Sequence, residues 1–344
     1  MNPAQRFLAL PPQRRALAFE QAATQRAVDA VLIEKDFWVC WLLGMLFSQP
    51  ELGPHLVFKG GTSLSKVFGV IERFSEDVDL SVAPAFVGAD VEAFDALVGR
   101  TQRDAAMAEM QRLCSVKTEV TIAPLIEAAI RTALGEPAGG GSWLTYELDA
   151  QTRSPILYFN YPASQTNGFN YLRRDVKLEL GALTDQQPIG NHTIRPWVAD
   201  QFPAVFADWH CEVVALGLAR SFWEKATILH AEYHRPVDQP TPSRYARHYA
   251  DLACLLEHSE AEALMADKAL CAHVVAWKSR VFARSWARYD LARHGEFRLV
   301  PPARRQEALA ADYALMRPMF LRDPPLFAQV MTKLAAAEQT INSF

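Results

Sequence analysis

A strand, a glycine turn and a helix near residue 60 constrain the fold more than any other feature of this chain. The apolar stretch Leu56-Val57-Phe58 runs into Lys59-Gly60-Gly61-Thr62-Ser63, and residues 64–70 then follow a helical pattern. A strand that ends in two glycines and restarts as a helix exposes backbone N–H groups that can bind phosphate. Thr62 and Ser63 can add hydroxyl donors or cap the helix. On its own, such a segment is more often a simple capped turn.

Two carboxylates follow on the next predicted strand, residues 77–82. Side chains alternate between the faces of a strand, so Asp77 and Asp79 share one face while Val78 and Leu80 point to the other. Like charges side by side are tolerated best when a cation lies between them, although Asp-x-Asp alone is usually a solvated strand edge. Mg²⁺ prefers carboxylate oxygens together with substrate phosphates. The pair therefore predicts a magnesium site.

A later predicted strand, residues 176–180, follows the same logic. Glu179 and Lys177 share one face, and the apolar residues between them point to the core. If this strand neighbours the one that carries Asp77, three carboxylates converge. Two metal ions could then activate a 3′-hydroxyl and stabilise the leaving pyrophosphate. The three segments in this order predict a Mg²⁺-dependent nucleotidyltransferase with an NTP as substrate.

The rest of the chain predicts an α+β organisation in two parts. Helices are expected over residues 12–48 and over most of 90–135, with a possible strand near residues 117–122. Strands are expected at residues 143–148 and 156–161. From about residue 210 onwards, Ala/Leu/Arg/Glu-rich segments indicate helices to the end. We therefore predict a catalytic part at residues 1–205 and a helical part at residues 206–344.

The composition excludes several classes of protein. The 344 residues include 35 Lys and Arg against 39 Asp and Glu, a formal net charge of −4, so the chain as a whole does not coat nucleic acid. Its five cysteines contain no CxxC pair, which argues against a structural zinc site and fits a reducing cytoplasm. The longest apolar run, residues 37–47, is too short to span a bilayer and is expected to be a buried helix. We therefore expect a cytoplasmic protein without membrane association.

One segment departs from this acidic balance. Residues 278–305 contain eight Lys and Arg against Asp290 and Glu296. Arginines recur every fourth residue, which predicts one shared helical face, at Arg280, Arg284 and Arg288. With the aromatic residues between them, such a face could bind an RNA acceptor. The alternative is a helix with aromatic residues in the core and solvated arginines, and the sequence leaves both open.

Taken together, these segments resemble the AbiEii/AbiGii toxins, a family within the polymerase-β-like nucleotidyltransferase superfamily. The resemblance rests on residues 59–66 and 73–80, and on the preceding Ile33-Glu34-Lys35-Asp36-Phe37-Trp38. Trp223-Glu224-Lys225-Ala226 and residues 247–252 resemble the third and fourth motifs of the family. The resemblance covers nearly the full chain. It implies a polymerase-β-like core with a mixed sheet and flanking helices, followed by a helical part.

The resemblance also implies roles for particular residues. Asp77 and Asp79 would hold the metal, Lys177 and Glu179 would belong to the second motif, and Asp251 would be the late acidic residue. Together with the strand reasoning, this gives Asp77, Asp79 and Glu179 as metal ligands and adds Lys177 and Asp251 to the catalytic set. The nucleotide-binding residues would be Gly60, Gly61, Thr62, Ser63, Lys66 and Lys225. The spacing between Gly-Gly and Asp-x-Asp departs from the commonest version in the superfamily, which leaves the exact phosphate contact open. The ordinary alternatives are a surface lysine at position 225 and an i,i+4 ion pair between Arg247 and Asp251.

At the level of function, the resemblance implies a toxin that transfers a nucleotide from an NTP to a cellular acceptor. In some members of the family the acceptor is the 3′ end of tRNA, and the consequences are growth arrest and phage defence. A cognate antitoxin encoded nearby would be its partner. Two alternatives remain, namely transfer to a protein or small molecule, and a non-catalytic interaction protein. The intact set of Asp77, Asp79 and Glu179 argues against the second.

Overall fold

The computed structural model describes residues 3–75, 77–165 and 173–344. The chain divides into two compact units. The first comprises Met1–Val67 and Ser75–Ala215, and the second comprises Phe68–Phe74 and Leu216–Phe344. The boundary thus falls ten residues later than the expected position 205, and a short segment ahead of Asp77 joins the second unit. Glu76, which is part of the Asp-x-Asp motif region, lies outside the described residues.

The first unit combines helices with a single sheet. Its helices are α1 (Pro3–Leu8), α2 (Pro12–Arg26), α3 (Ala30–Ser48), α4 (Gly60–Lys66), α5 (Val91–Ala96), α6 (Arg100–Lys117), α7 (Ala123–Leu134) and α8 (Val198–Gln201). Its strands are β1 (Leu56–Lys59), β2 (Asp77–Val82), β3 (Leu144–Leu148), β4 (Pro155–Phe159), β5 (Val176–Gly181), β6 (Ile189–Ile194) and β7 (Cys211–Leu216). No helix in the described ranges combines the length and apolar character needed to cross a membrane.

The sheet is mixed, with seven strands in the order β3-β4-β5-β2-β1-β7-β6. Strand β2 lies at its centre, parallel to β5 and antiparallel to β1. The predicted α+β class with a mixed sheet is confirmed, and so are the strands predicted at 77–82 and 176–180. The possible strand near residues 117–122 is wrong, because Thr118–Ile122 forms a π-helical turn that joins α6 to α7.

Helix α3 forms the centre of the core of this unit, as expected for its apolar run. It also buries three consecutive charged residues, Glu34, Lys35 and Asp36, which are 1%, 1% and 3% exposed. A buried charge is costly unless it is paired or hydrogen-bonded, and each of the three has its own partner segment. The carboxylate of Glu34 accepts from the backbone N–H groups of residues 164–165, and Lys35 donates to the carbonyl of Arg173 at 3.1 Å. Asp36 in turn pairs with Lys66 and accepts from the N–H of Trp197. One turn of α3 therefore anchors several distant segments of the chain.

The second unit is helical, as the sequence predicts. Its helices are α9 (Leu218–Tyr233), α10 (Ala246–Leu255), α11 (Ala261–Ala266), α12 (Lys268–Val281), α13 (Ala303–Leu315) and α14 (Phe327–Ser343). The segment 68–74 joins this unit through backbone pairing. Arg73 forms an antiparallel bridge with Phe320, and the N–H of Phe74 donates to the carbonyl of Met319 at 2.7 Å.

Candidate active site

The predicted carboxylates meet on one face of the sheet in the first unit. Strands β2 and β5 are neighbours, and their parallel register places Asp77 beside Lys177 and Asp79 beside Glu179. On the other side of β2, the register with β1 places Lys59 opposite Asp79. The condition set by the sequence, that the two strands lie side by side, is therefore met. Three carboxylates and two lysines alternate over three adjacent strands.

Lys177 is the counter-charge within this group. Its ammonium donates a hydrogen bond to Glu179 and lies 3.7 Å from Asp77 Oδ1. Burial disfavours the charged form, but Glu179 and Asp77 together raise the pKa of Lys177 above its ordinary value. The side chains of Asp77 and Glu179 remain about one-third accessible, at 31% and 35%. The lysine is therefore a fixed cation shared by two accessible carboxylates.

These residues have the right chemical groups for Mg²⁺, but their side chains are not arranged around a common metal position. In the described part of the chain, no three His, Cys, Asp or Glu side chains are grouped closely enough to hold a metal ion. The carboxylates of Asp77 and Glu179 instead face the ammonium of Lys177. The carboxylate of Asp79 makes no hydrogen bond or ion pair with any described residue. Carboxylate oxygens are the donors that Mg²⁺ prefers, and binding the ion would require Asp77 and Glu179 to turn away from Lys177.

Gly60 makes room for Asp79. Its φ of +79° lies in the left-handed region, which glycine adopts readily. A Cβ atom at this position would lie 1.9 Å from Asp79 Oδ2, well inside van der Waals contact. The Asp79 carboxylate therefore lies directly against the glycine turn. This contact joins the first two predicted motifs into one site.

The two hydroxyl side chains of the turn have different partners. Thr62 Oγ1 donates to the carbonyl of Asp77 at 2.5 Å, and this bond ties α4 to the start of β2. Ser63 Oγ is buried and has no hydrogen-bond partner among the described residues. A buried polar atom without a partner is uncommon and costly. Ser63 is thus the hydroxyl of this turn that is buried without a hydrogen-bond partner among the described residues.

Lys66, a predicted nucleotide-binding residue, lies in a buried ion pair. Its side chain is only 5% exposed and pairs with Asp36 of α3 at 2.6 Å. It also donates to the carbonyl of Arg195 at 2.9 Å. Burial opposes its charge, but Asp36 raises the pKa of Lys66, so the ion pair persists. The geometry favours a structural role, in which Lys66 anchors the end of α4 to α3.

Lys225 and Asp251 form a buried cluster with Arg73 inside the second unit. Arg73 binds the Asp251 carboxylate through two hydrogen bonds of 2.7 and 2.8 Å, and Lys225 binds it at 2.8 Å. Burial disfavours the carboxylate, but the two cations hold the pKa of Asp251 far below its usual range. Burial lowers the pKa of Lys225, whose side chain is 12% exposed. Lys225 is therefore not an ordinary surface lysine, and the ion pairs of Asp251 are with Arg73 and Lys225.

His248 is a member of this cluster that the sequence did not single out. Its Nδ1 lies 3.4 Å from the ammonium of Lys225. Burial and the nearby Lys225 together keep the pKa of His248 well below its usual value, so the ring is neutral and can accept from the lysine. Its place one helical turn before Asp251 on α10 was visible in the sequence. This spacing alone does not predict a functional histidine, because a lone histidine on a helix usually packs in a core.

The predicted basic face at Arg280, Arg284 and Arg288 is wrong. Helix α12 ends at Val281, so only Arg280 lies on it. Arg288 has a left-handed backbone, with φ of +46°, and pairs with Asp290 at 2.8 Å. The period of four residues that predicted a helix is thus interrupted, and the three arginines share no helical face. Arg284 is exposed and lies beyond the helix.

His230 holds the irregular segment that follows α12. It is fully buried on α9, where its Nε2 lies 3.0 Å from the carbonyl of Arg288 and its Nδ1 accepts from the N–H of Arg298 at 3.1 Å. A ring that accepts at Nδ1 and donates at Nε2 is neutral. Burial lowers the pKa of His230 to about 4. The side chain therefore serves as a structural clamp on the segment between Arg288 and Arg298.

This clamp predicts that stability declines in mild acid. An unfolded histidine has a pKa near 6.5, whereas that of His230 is about 4, so the unfolded chain takes up the proton first as the pH falls. The free energy of unfolding should be insensitive to His230 above pH 6.5 and fall by about 3 kcal/mol between pH 6.5 and pH 4. Urea denaturation of the wild type and of His230→Gln across this range isolates the effect. Parallel curves for the two proteins would contradict a neutral, buried His230.

This arrangement of a glycine turn, neighbouring acidic strands and a helical second unit is that of a nucleotidyltransferase. A family model described as the nucleotidyl transferase AbiEii toxin of type IV toxin–antitoxin systems matches residues 41–336. The chain therefore belongs to the AbiEii family of nucleotidyltransferase toxins, and the predicted family is confirmed. Membership implies a cognate antitoxin as partner.

One solved structure similar to this chain is that of MenT4, a nucleotidyltransferase toxin from Mycobacterium tuberculosis H37Rv. The likeness covers 96% of this chain and 90% of that one, with a TM-score of 0.48 and 15% sequence identity. No curated protein matches the sequence.

Proposed function

We propose that this toxin transfers a nucleotidyl group from an NTP to the 3′ end of an RNA, with tRNA as the first candidate, and thereby arrests growth in the cytoplasm. The observation that carries the proposal is the register of β2 and β5, which sets Asp79 beside Glu179, while Gly60 lies against Asp79 on the other side of β2. A role in phage defence would follow from growth arrest of an infected cell.

The side chains of the first unit have distinct proposed roles. Asp77, Asp79 and Glu179 would hold Mg²⁺, which supplies Lewis-acid activation of the attacking hydroxyl and neutralises the leaving pyrophosphate. Lys177 keeps two of these carboxylates together through its ion pairs. Gly61 and Ser63 would donate to the triphosphate, since the Ser63 hydroxyl has no partner among the described residues. Thr62 acts indirectly, because its hydroxyl is bonded to the backbone of Asp77.

One labelling experiment tests the reaction and its acceptor. The purified full chain is incubated with each of the four α-³²P-labelled NTPs, in Mg²⁺ or in EDTA, together with total tRNA, other total RNA or a protein extract. We expect label in tRNA with one NTP above the others, and none in EDTA. Label in protein would assign a protein acceptor instead. Absence of label in every fraction would contradict an enzyme and favour a non-catalytic interaction protein.

Lys225 is proposed to bind the triphosphate, with Asp251 and His248 as its positioning partners. The lysine is held by Asp251, and 12% of its side chain is exposed. Lys225→Ala should raise the KM for NTP about tenfold or more, since a hydrogen bond to a charged group contributes about 1.5–3 kcal/mol. Lys333→Ala, which removes a more exposed lysine paired with Glu257, is the matched control. An unchanged KM for NTP in Lys225→Ala would reject the assignment.

A further inference from the structure

Arg173 and Tyr158 form a stacked pair next to the carboxylates of the first unit. The Arg173 guanidinium carbon lies 4.4 Å from the centre of the Tyr158 ring. Tyr158 lies on β4 directly opposite Lys177 of β5, so it shares the face that carries Asp77 and Asp79. Because adjacent strands are about 4.8 Å apart, two strand spacings place the pair roughly 10 Å from β2. The distance is within the reach of one bound nucleotide.

The position of Arg173 is fixed at both ends. Its Nε lies 3.0 Å from Asp175 Oδ2, and its carbonyl accepts a hydrogen bond from the buried Lys35 at 3.1 Å. Its side chain is nevertheless 64% exposed, whereas Tyr158 beneath it is only 7% exposed. The two Nη groups make no hydrogen bond with the described residues. The guanidinium therefore presents a preorganised flat face and unused donors to solvent.

The order of the strands indicates which of the two substrates would bind next to the Arg173–Tyr158 pair. The glycine turn follows β1, on one side of β2, whereas Lys177, Glu179 and then Tyr158 lie on the other side. In-line displacement at phosphorus places the attacking hydroxyl and the leaving group on opposite sides. If the triphosphate lies at the glycine turn, the attacking hydroxyl approaches from the side of β5 and β4. This is the side of the Arg173–Tyr158 stack.

We propose that the Arg173–Tyr158 stack is the subsite for the terminal nucleotide of the acceptor RNA, whose base lies on the outer face of the guanidinium. Unpaired RNA bases stack on arginine planes and aromatic rings, and such contacts tolerate any base. The free Nη groups can donate to the adjoining phosphate. This inference rests on the proposed transfer to an RNA 3′ end, and names the residues that position that end.

A cycle of protein and RNA changes tests the subsite. The acceptors are synthetic copies of the labelled RNA's 3′ end, with the terminal base present or replaced by an abasic nucleotide. The proteins are the wild type, Arg173→Ala, Arg173→Lys and Arg112→Ala, the last being an exposed arginine of α6. The KM for NTP and the kcat/KM for acceptor are measured for each combination. A melting curve for each variant verifies the fold.

We expect Arg173→Ala and the abasic change each to lower kcat/KM for acceptor about tenfold, and the two together to lower it no further, because both remove the same stacking contact. Arg173→Lys keeps the positive charge but lacks the planar guanidinium, so it should behave like Arg173→Ala. Arg112→Ala should behave like the wild type. Additive losses, or full activity in Arg173→Lys, would overturn the subsite. A raised KM for NTP with unchanged acceptor kinetics would assign the stack to the NTP base instead. A wild type that labels no RNA would overturn the proposed function, and the subsite with it.

Discussion

We expect Asp77→Asn and Asp79→Asn each to lower nucleotidyl transfer by about a thousandfold or more while the protein stays folded. Each change removes one negative charge from the face where Mg²⁺ and the triphosphate are proposed to bind, and about 4 kcal/mol of transition-state stabilisation corresponds to that factor. The fold should survive, because Asp77 is 31% exposed and Asp79 has no partner among the described residues. Label transfer at saturating NTP and Mg²⁺ measures the loss.

The control for these variants is Asp104→Asn on α6. Asp104 is an exposed aspartate paired with Arg100 at 3.8 Å, so its loss changes the net charge equally but leaves the site intact. Its activity should match that of the wild type. If either site variant kept full activity with Mg²⁺, the metal assignment would be wrong. If both variants melted well below the wild type, the loss of transfer would reflect unfolding, so melting curves accompany the assay.

Gly60→Ala should lower transfer at least about a hundredfold, although it adds only one methyl group and changes no charge. The new Cβ would stand 1.9 Å from Asp79 Oδ2, so the carboxylate or the turn must move by an ångström or more. Displacements of about 1 Å in a catalytic group can cost about a hundredfold in rate. The backbone adds a smaller penalty, since alanine at φ of +79° is strained by about 1–2 kcal/mol.

Gly88→Ala separates these two effects. Gly88 has a similar φ of +87°, but a Cβ there would meet nothing within 4 Å. It should therefore lose similar backbone stability and keep full transfer activity. Denaturation and label transfer are measured on both variants. Equal activity in Gly60→Ala and Gly88→Ala would mean that the contact between Gly60 and Asp79 has no part in catalysis.

The sequence predicts which side chains share a face of a strand, but it does not predict which strands are neighbours in the sheet. Alternation along a strand is a local property, so Asp77 and Asp79 could be placed on one face from the sequence alone. The pairing of Asp79 with Glu179 joins residues one hundred positions apart, and only the chain fold determines it. In the sequence, the convergence of these carboxylates was therefore a condition that depended on the two strands being neighbours. The structure adds the register and the lysine that lies between the carboxylates.

The placements that the sequence did not predict have a common physical cause. Lys66 looked available because its partner, Asp36, lies thirty residues earlier and is itself buried. The helix predicted through Arg288 ends at Val281, because His230 holds the following segment by its backbone and a tertiary contact overrides a periodic pattern. Arg173 lies in an irregular segment without a motif, so no sequence rule pointed to its stack with Tyr158. Long-range side-chain partners decide each of these cases.

The three buried charges of α3 also determine how much of the chain must be synthesised before this helix can dock with all of its partners. Glu34 needs residues 164–165, and Asp36 needs both Lys66 and the N–H of Trp197. A nascent chain that ends before residue 164 carries the glycine turn and both aspartates, yet it can bury α3 only by leaving Glu34 without its partners. Docking of α3 is therefore delayed until nearly 200 residues have left the ribosome. The core of the first unit can therefore be completed only after these distant partner segments have been synthesised.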